Sequence, residues 1–424
     1  MTSRSCWSMK PPSRRATPID NRHRFDRDHD TAMISLPGTQ NASRLEVAAL
    51  CSLLGLVAVL QISIAASGIL LTTTLGLWAA LLVSRREHPS APAFFLPLGL
   101  YAFVTLVSVA FSLDPLSSLI DSREVLLFLV VPVVYRLARG VRAQTVATII
   151  VTVGGASAVF GVVQFGILEF DNLGQRPSGT MGHYMTYSGL LVLVVALAGA
   201  RVLYDRGERV WSGLVMPALL VALALTLTRS YMVGAAAALG VLFLLKDLRL
   251  LVFLPVLGAL FLAFAPPQVT SRIYSTFDLD DPTVRDRFAM QRAGAAIIAD
   301  YPLTGVGPDM VKEVYPDYRD AGAVQAENPH LHNVPLQIAA ERGLPALAIW
   351  LAFLTVAVHR LWNNLRSAQN LALSAAGLAA VAGMLAGGLT EYNFGDSEFL
   401  LLFLVLITLP FAEQQAPESA PTEG

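Results

Sequence analysis

Three stretches of this chain carry side chains whose types and spacing suit chemistry. The first, ENPHLHNVPLQIAAERG (327–343), sets His330, His332 and Asn333 just ahead of a long apolar run. Imidazole is the side chain whose unperturbed pKa lies near neutral pH, so a histidine here suits a general base that takes a proton from a hydroxyl. Two plainer readings stand beside it. Asn333 is an N-cap by type, with the histidines marking a helix entrance and Glu341 and Arg342 a polar kink further on. A zinc site needs several convergent ligands, and H-x-H has no third or fourth donor patterned nearby, so no metal is expected.

The second stretch, LALTLTRSYMVGAAAALG, holds Arg229 between two apolar runs with no room for a loop. An arginine at that depth either snorkels to the headgroups or faces a cavity and an anionic partner. The third, DDPTVRDRFAMQRAGAAIIADYPLTGVGPD (280–309), reads as a helix over 284–300 that carries Arg285, Arg287 and Arg292 and breaks at Tyr301-Pro302. Its arginines suit bidentate phosphate binding, or equally a solvated face or a lipid-headgroup contact. The PLTGVGPD that follows is a Gly/Pro turn series and not a P-loop, because GxxxxGK[ST] is missing. A fourth patch, GQRPSGTMGHYMTYSG (174–189), offers Arg176 and His183, or simply a glycine-rich connecting loop.

The elements that must position these residues are membrane helices. Of 424 residues, 54% are hydrophobic and only 14% charged, against roughly 25% charged in soluble domains. Apolar runs of bilayer-spanning length recur along the chain, and helix is the form that satisfies their backbone in lipid. The fold class is therefore all-α and polytopic. About twelve spans are expected, at 46–64, 67–84, 93–112, 122–137, 144–166, 185–203, 210–227, 230–245, 249–265, 344–361, 371–390 and 397–412. The organisation follows: a disordered cytoplasmic tail at 1–45, nine spans over 46–265, and one large extracytoplasmic loop with short helices at 266–343. Three spans over 344–412 and a cytoplasmic tail at 413–424 complete it. Met33 is an alternative start to Met1.

Lys and Arg concentrate in alternate connections, among them Arg85 and Arg86, Arg136, Arg139 and Arg142, Arg201, Arg206 and Arg209, and Arg360 and Arg366. The positive-inside rule makes those connections cytoplasmic, with both termini inside. The other connections, including TEYNFGDSE and the 266–343 loop, then face out. Arg229 falls on the outer side, where that bias asks for no basic residue. Cys6 and Cys51 have no CxxC or Cys/His spacing, which removes redox chemistry from the candidates. A transporter for lipids would favour paired half-sequence repeats and ionisable residues at mid-span; the polar groups here gather at the outer face, and no repeat is evident. A structural scaffold would leave Arg229 without a reason.

Taken in order, these pieces resemble the O-antigen ligase and O-antigen polymerase superfamily. The resemblance rests on R-x-SGT (176–180), the Thr-Arg-Ser turn (228–230), the R-x-x-M helix running into DYPLTGVGP (287–308), and H-x-HN-x-x-L-Q-x-x-x-E-x-G-L (330–344). It covers residues 150–360 and departs at Gln291, where the family often has Trp, and at Pro345, where it has Gly. It implies a metal-independent inverting glycosyltransferase of the bacterial inner membrane, without a cofactor. The donor would be a glycan on undecaprenyl pyrophosphate, and the acceptor a glycan, lipid A core or protein hydroxyl. Membrane lipids would surround the chain, and no nucleic acid is involved. By the match, Arg229 and Arg287 bind the pyrophosphate, with Arg285 the alternative for the second. His332, rather than His330, deprotonates or orients the hydroxyl. Asn333 and Glu341 support helix and imidazole, and Arg176 and His330 line the site.

Overall fold

An apolar run that has no water to bond its backbone closes its hydrogen bonds within itself. Every regular element among the described residues is accordingly helical, with no strand. The computed structural model describes residues 42–275, 278, 280–320, 322–367 and 370–415. The expected tails lie outside these residues, except at their inner edges, where Ser43 caps the first helix.

In chain order the helices are α1 (Arg44–Val59), α2 (Ile64–Arg85), α3 (Phe95–Ala110), α4 (Pro115–Asp121), α5 (Val130–Leu137), α6 (Val141–Gly166), α7 (Tyr184–Tyr204) and α8 (Arg209–Leu225). They continue as α9 (Arg229–Lys246), α10 (Phe253–Phe264), α11 (Pro267–Tyr274), α12 (Pro282–Asp300), α13 (Val311–Tyr318), α14 (Val334–Arg366), α15 (Leu371–Gly388) and α16 (Ser397–Glu413). Six of them, α2, α6, α7, α9, α14 and α15, are long and apolar enough to cross a membrane. The apolar runs predict twelve spans, and several of the other runs form shorter helices or begin in 3-10 form. Residues 122–137 begin as a 3-10 turn, Ser122–Leu129, before α5. The 249–265 run likewise starts with Leu248–Val252 in 3-10 form. Helices α1 and α3 have 16 residues each, about 24 Å at ~1.5 Å per residue, against a hydrocarbon core of about 30 Å.

Helices α7, α15 and α16 are buried over most of their length and form the centre of the bundle. Around them, apolar side chains such as Val83 (79% exposed), Leu96 (80%) and Phe264 (85%) point away from the protein, as lipid-facing residues do. Helices α9 and α15 approach closely, because Gly234 lies against the backbone of Gly383 and leaves no space for a Cβ. Small residues permit this kind of contact between membrane helices. It brings the first turn of α9 beside the connection that follows α15.

The stretch 265–333 carries α11, α12 and α13, and α14 begins at Val334, inside the segment read as loop. Helix α14 is kinked at Gly343 (φ 81, ψ 168), a backbone conformation open chiefly to glycine. Pro345 lacks the N–H that would bond to the carbonyl of Glu341, and the Leu344 N–H is diverted to Pro302 O at 2.8 Å. Two helix carbonyls are thereby released. They are taken up by the PLTGVGP segment: Val306 N–H donates to Ala340 O (3.0 Å) and Gly307 N–H to Glu341 O (2.9 Å). The turn series thus plugs the kink in α14. A small core of Met290, Ala293, Ile297, Val306, Leu331 and Ala340 seals α12 to the same helix.

Candidate active site

The site is built where the N-terminus of α14 meets the connection between α15 and α16. Asn333 caps α14, its side chain accepting from Leu336 N–H at 2.9 Å, and its amide donates to Leu389 O at 2.9 Å. Gln337 Oε1 accepts from Leu331 N–H at 2.7 Å. Held between these bonds, His332 has φ +47, a left-handed conformation that costs a non-glycine residue on the order of 1–3 kcal/mol. The strained turn carries the imidazole to Glu391, with Nδ1 and Oε1 2.9 Å apart.

Glu391 is nearly completely buried and organises the groups around it. Its other oxygen lies 3.8 Å from Arg287 Nη2, while Arg287 Nη1 donates to Ser230 Oγ at 3.3 Å. The Ser230 hydroxyl in turn donates to Thr390 O. Burial alone would raise the Glu391 carboxyl; the hydrogen bond and charge of His332, with His330 and Arg287, hold it below the ordinary carboxylate range. His330 packs edge-on to His332 with ring centroids 4.1 Å apart. Burial and then the charge of His332 push its pKa down to about 4, against the pull of Glu391.

Of these side chains, Ser230, Arg287 and His332 border a cavity of about 290 Å³ that is also lined by Arg176, Tyr184, Arg229, Arg272, Asp286 and Asn328, among others. Arg229 opens α9 directly after Leu227 (φ 56) and Thr228, a connection too tight to lead the guanidinium away. It donates to Ser275 Oγ at 3.0 Å and lies 3.7 Å from Asp281. Arg176 stacks on Tyr184, 3.9 Å above the ring. Burial lowers the Arg287 pKa, and Glu391 opposes that shift; arginine stays charged in any case. The cavity therefore has a cationic wall and one imidazole whose Nδ1 is engaged. Such a site suits an anionic group next to a hydroxyl that must lose its proton.

The fold brings together Arg176, Arg229, Arg287 and His332 from four separated stretches, with His330 and Asn333 beside them. It does not bring Arg285, which is exposed and faces away from the cavity. Glu341 also departs from expectation. Its carboxylate accepts from Gln337 (2.8 Å) and pairs with Arg342 (2.5 Å), below the kink and away from the imidazole. The carboxylate on the imidazole is Glu391, in TEYNFGDSE; its signal was an acid in a short connection on the same side as H-x-HN. Arg272 was missed as well, a basic residue in a polar segment that breaks no local rule. His183 caps α7 and stacks on Tyr184 behind the cavity wall.

His330, His332 and Glu391 also present ligand atoms within 4.8 Å of one another, so the third donor missing beside H-x-H is supplied from 59 positions away. Two features disfavour a cation there. Arg287 is already directed at Glu391. His332 N–H points to His330 Nδ1 at 3.4 Å, which leaves the proton of neutral His330 on Nε2, the nitrogen nearer Glu391. The donor set fits proton handling better than metal binding.

Residues 214–351 match the family model described as O-antigen ligase. The matched segment runs from α8 through the kink of α14 and includes Arg229, Arg272, Arg287 and His332. The comparison with curated proteins found no match to the chain.

Proposed function

We propose that the chain, whose residues 214–351 match the O-antigen ligase family model, is a member of that superfamily and transfers a glycan from undecaprenyl pyrophosphate to an acceptor hydroxyl. The observation that carries the reading is the convergence of Arg229, Arg287 and His332 on one cavity, with Glu391 on the histidine. In this reading the polytopic bundle crosses the bacterial inner membrane about twelve times, with both termini cytoplasmic and the 266–343 segment outside.

Glu391 accepts from His332 Nδ1–H, which fixes the tautomer and leaves Nε2 as a proton acceptor. Nε2 takes the proton of the acceptor hydroxyl as its oxygen forms a bond to the anomeric carbon. The bond from that carbon to phosphate breaks, and undecaprenyl pyrophosphate leaves. Arg229 and Arg287 hold the pyrophosphate and stabilise the negative charge it gains. A single displacement of this kind inverts the anomeric centre. Glu391 stabilises the imidazolium that forms, and Arg287, on its second oxygen, links proton transfer to departure of the leaving group.

A ligase reading places the hydroxyl on a lipid A core, another glycan carrier or a protein; a polymerase extends one lipid-linked chain with another. The test is a gel profile of surface and lipid-linked glycans from cells carrying His332→Ala, beside wild type and a deletion. The expected result is a profile that matches the deletion while protein levels stay normal. Long chains stranded on the carrier identify a ligase, and single units a polymerase. A wild-type profile from His332→Ala defeats the general-base assignment and reopens the transporter reading.

A further inference from the structure

Arg272, on α11, joins the cavity wall beside Arg229, Arg287 and Arg176. Its Nη1 lies 3.8 Å from Asp281 Oδ2, and Arg229 Nη2 lies 3.7 Å from Asp281 Oδ1. One carboxylate therefore sits between two guanidinium groups, an oxygen toward each, and both separations exceed hydrogen-bond length, roughly 2.7–3.2 Å. The Arg272 Nε is buried and has no hydrogen-bond partner. The same carboxylate caps α12, accepting from Thr283 N–H (2.9 Å) and Val284 N–H (3.3 Å). It thus lies where two arginines and the N-terminal amides of a 19-residue helix all favour an anion.

A carboxylate only half-fills such a position. Oδ1 takes both cap bonds and still lies 3.7 Å from Arg229, while Oδ2 lies 3.8 Å from Arg272, so neither fork is met at bonding distance. A phosphate brings a third oxygen and more charge, and it offers an acceptor to the orphaned Arg272 Nε. The charge balance points the same way. Burial lowers the Arg176 pKa against the opposing effect of Tyr184, with a smaller push from Arg272, and Arg272 also presses on Arg287. Four arginines, Arg176, Arg229, Arg272 and Arg287, line the cavity, against Asp286 in its wall, Asp281 between Arg229 and Arg272, and Glu391 beside Arg287.

We propose that Arg229 and Arg272 form a phosphate subsite of the donor cradle, and that Asp281 is an internal anion occupying it until a phosphate of the incoming lipid pyrophosphate displaces its carboxylate. The proposal rests on the donor assigned above. It gives the cavity a filter: a weak monoanion gains too little to displace Asp281, whereas a pyrophosphate engages Arg272, Arg229 and Arg287 together.

The test is equilibrium binding of undecaprenyl pyrophosphate and, separately, inorganic pyrophosphate to the full-length protein in nanodiscs. Arg272→Ala should weaken binding of the lipid pyrophosphate about tenfold, the scale of one charge-assisted hydrogen bond. Arg272→Lys should restore only part, since the ammonium lacks the fork. Asp281→Asn keeps a good helix cap and removes the competing charge, so binding should tighten by about threefold or more. Inorganic pyrophosphate should follow the same order of variants at lower affinity; tight binding of it alone would point to a free phosphate ligand and overturn the lipid assignment. Unchanged binding in Arg272→Ala, or weaker binding in Asp281→Asn, overturns the subsite while the donor reading stands. Failure of the wild type to bind either probe overturns both.

Discussion

The two ends of the bundle use arginine in opposite ways. At one end, Glu46 in the first turn of α1 is shared by Arg85 (3.2 Å), Arg136 (3.8 Å) and Arg142 (2.9 Å), and Arg136 also grips Glu87 at 2.7 Å. Arg201 is buried there too, bonded to Gln144 and Thr148. At the other end, Arg229, Arg272 and Arg287 stand 3.7–3.8 Å from their carboxylates around an open cavity. Thr180 Oγ1 donates to Ile62 O beyond the far end of α1, which puts the cavity loop a helix length from Glu46. The first group ties helices to one another from buried positions, whereas the second faces a cavity, which in the proposed function receives an anionic partner.

That contrast can be broken from either side. The largest effect is expected for Glu46→Ala, which strips the shared carboxylate from buried cations and should cost about 3–5 kcal/mol of stability, read as lost protein and a lowered melting temperature. Arg287→Ala should instead leave melting nearly unchanged and reduce glycan transfer by about 10²–10³-fold, measured on purified protein with a lipid-linked donor. A large loss of stability in that variant would mean that its pair with Glu391 belongs to the structural class.

Acid sharpens the picture at the cavity end. His330 has a pKa near 4 in the fold, against 6.5 as its reference value, so between these values the folded chain binds fewer protons than the unfolded one. Its contribution to stability is complete above the reference value and is lost as pH falls toward 4, on the order of 2–3 kcal/mol. Glu391, also lowered, acts in the same direction. Melting temperature should fall over this interval, and His330→Gln should flatten the slope. The smallest effect belongs to Arg285→Ala: transfer within about twofold of wild type, because this side chain faces away from the cavity. A tenfold loss would return Arg285 to the donor site.

Part of the site was legible because Arg229 and the H-x-HN pair each break a local rule, whereas Arg272, a basic residue in a polar segment, breaks none and was missed. Arg229 sits in an apolar run without a loop, and H-x-HN precedes a helix entrance. Each break is visible from the residue and its neighbours alone. Glu391 breaks no local rule, since an acid in a short connection is ordinary; only the closeness of α9 to α15 and the Asn333–Leu389 bond make it the partner of His332. Glu341, sought as a support for the imidazole, was instead drawn to Arg342 and Gln337, its neighbours on the same helix. Spacing along a helix determines such short-range pairs but does not reveal which turn a kink removes from the site. The apolar runs gave the helical class; six of the helices are long and apolar enough to cross a membrane, and the count of twelve belongs to the proposed reading.

The amino-acid sequence by itself determined an all-helical, lipid-facing chain with cationic and imidazole groups gathered at one end. Those features follow from hydropathy and from the energetic cost of placing charge in an apolar run, which are local quantities. Tertiary structure decided which charges are partners. The kink at Gly343, plugged by Val306 and Gly307, swings α12 and its Arg287 against α14, and the loop capped by Asn333 turns His332 onto Glu391. Electrostatic pairing depends on distance in space, and residues 59 positions apart acquire a distance only when the helices between them have packed.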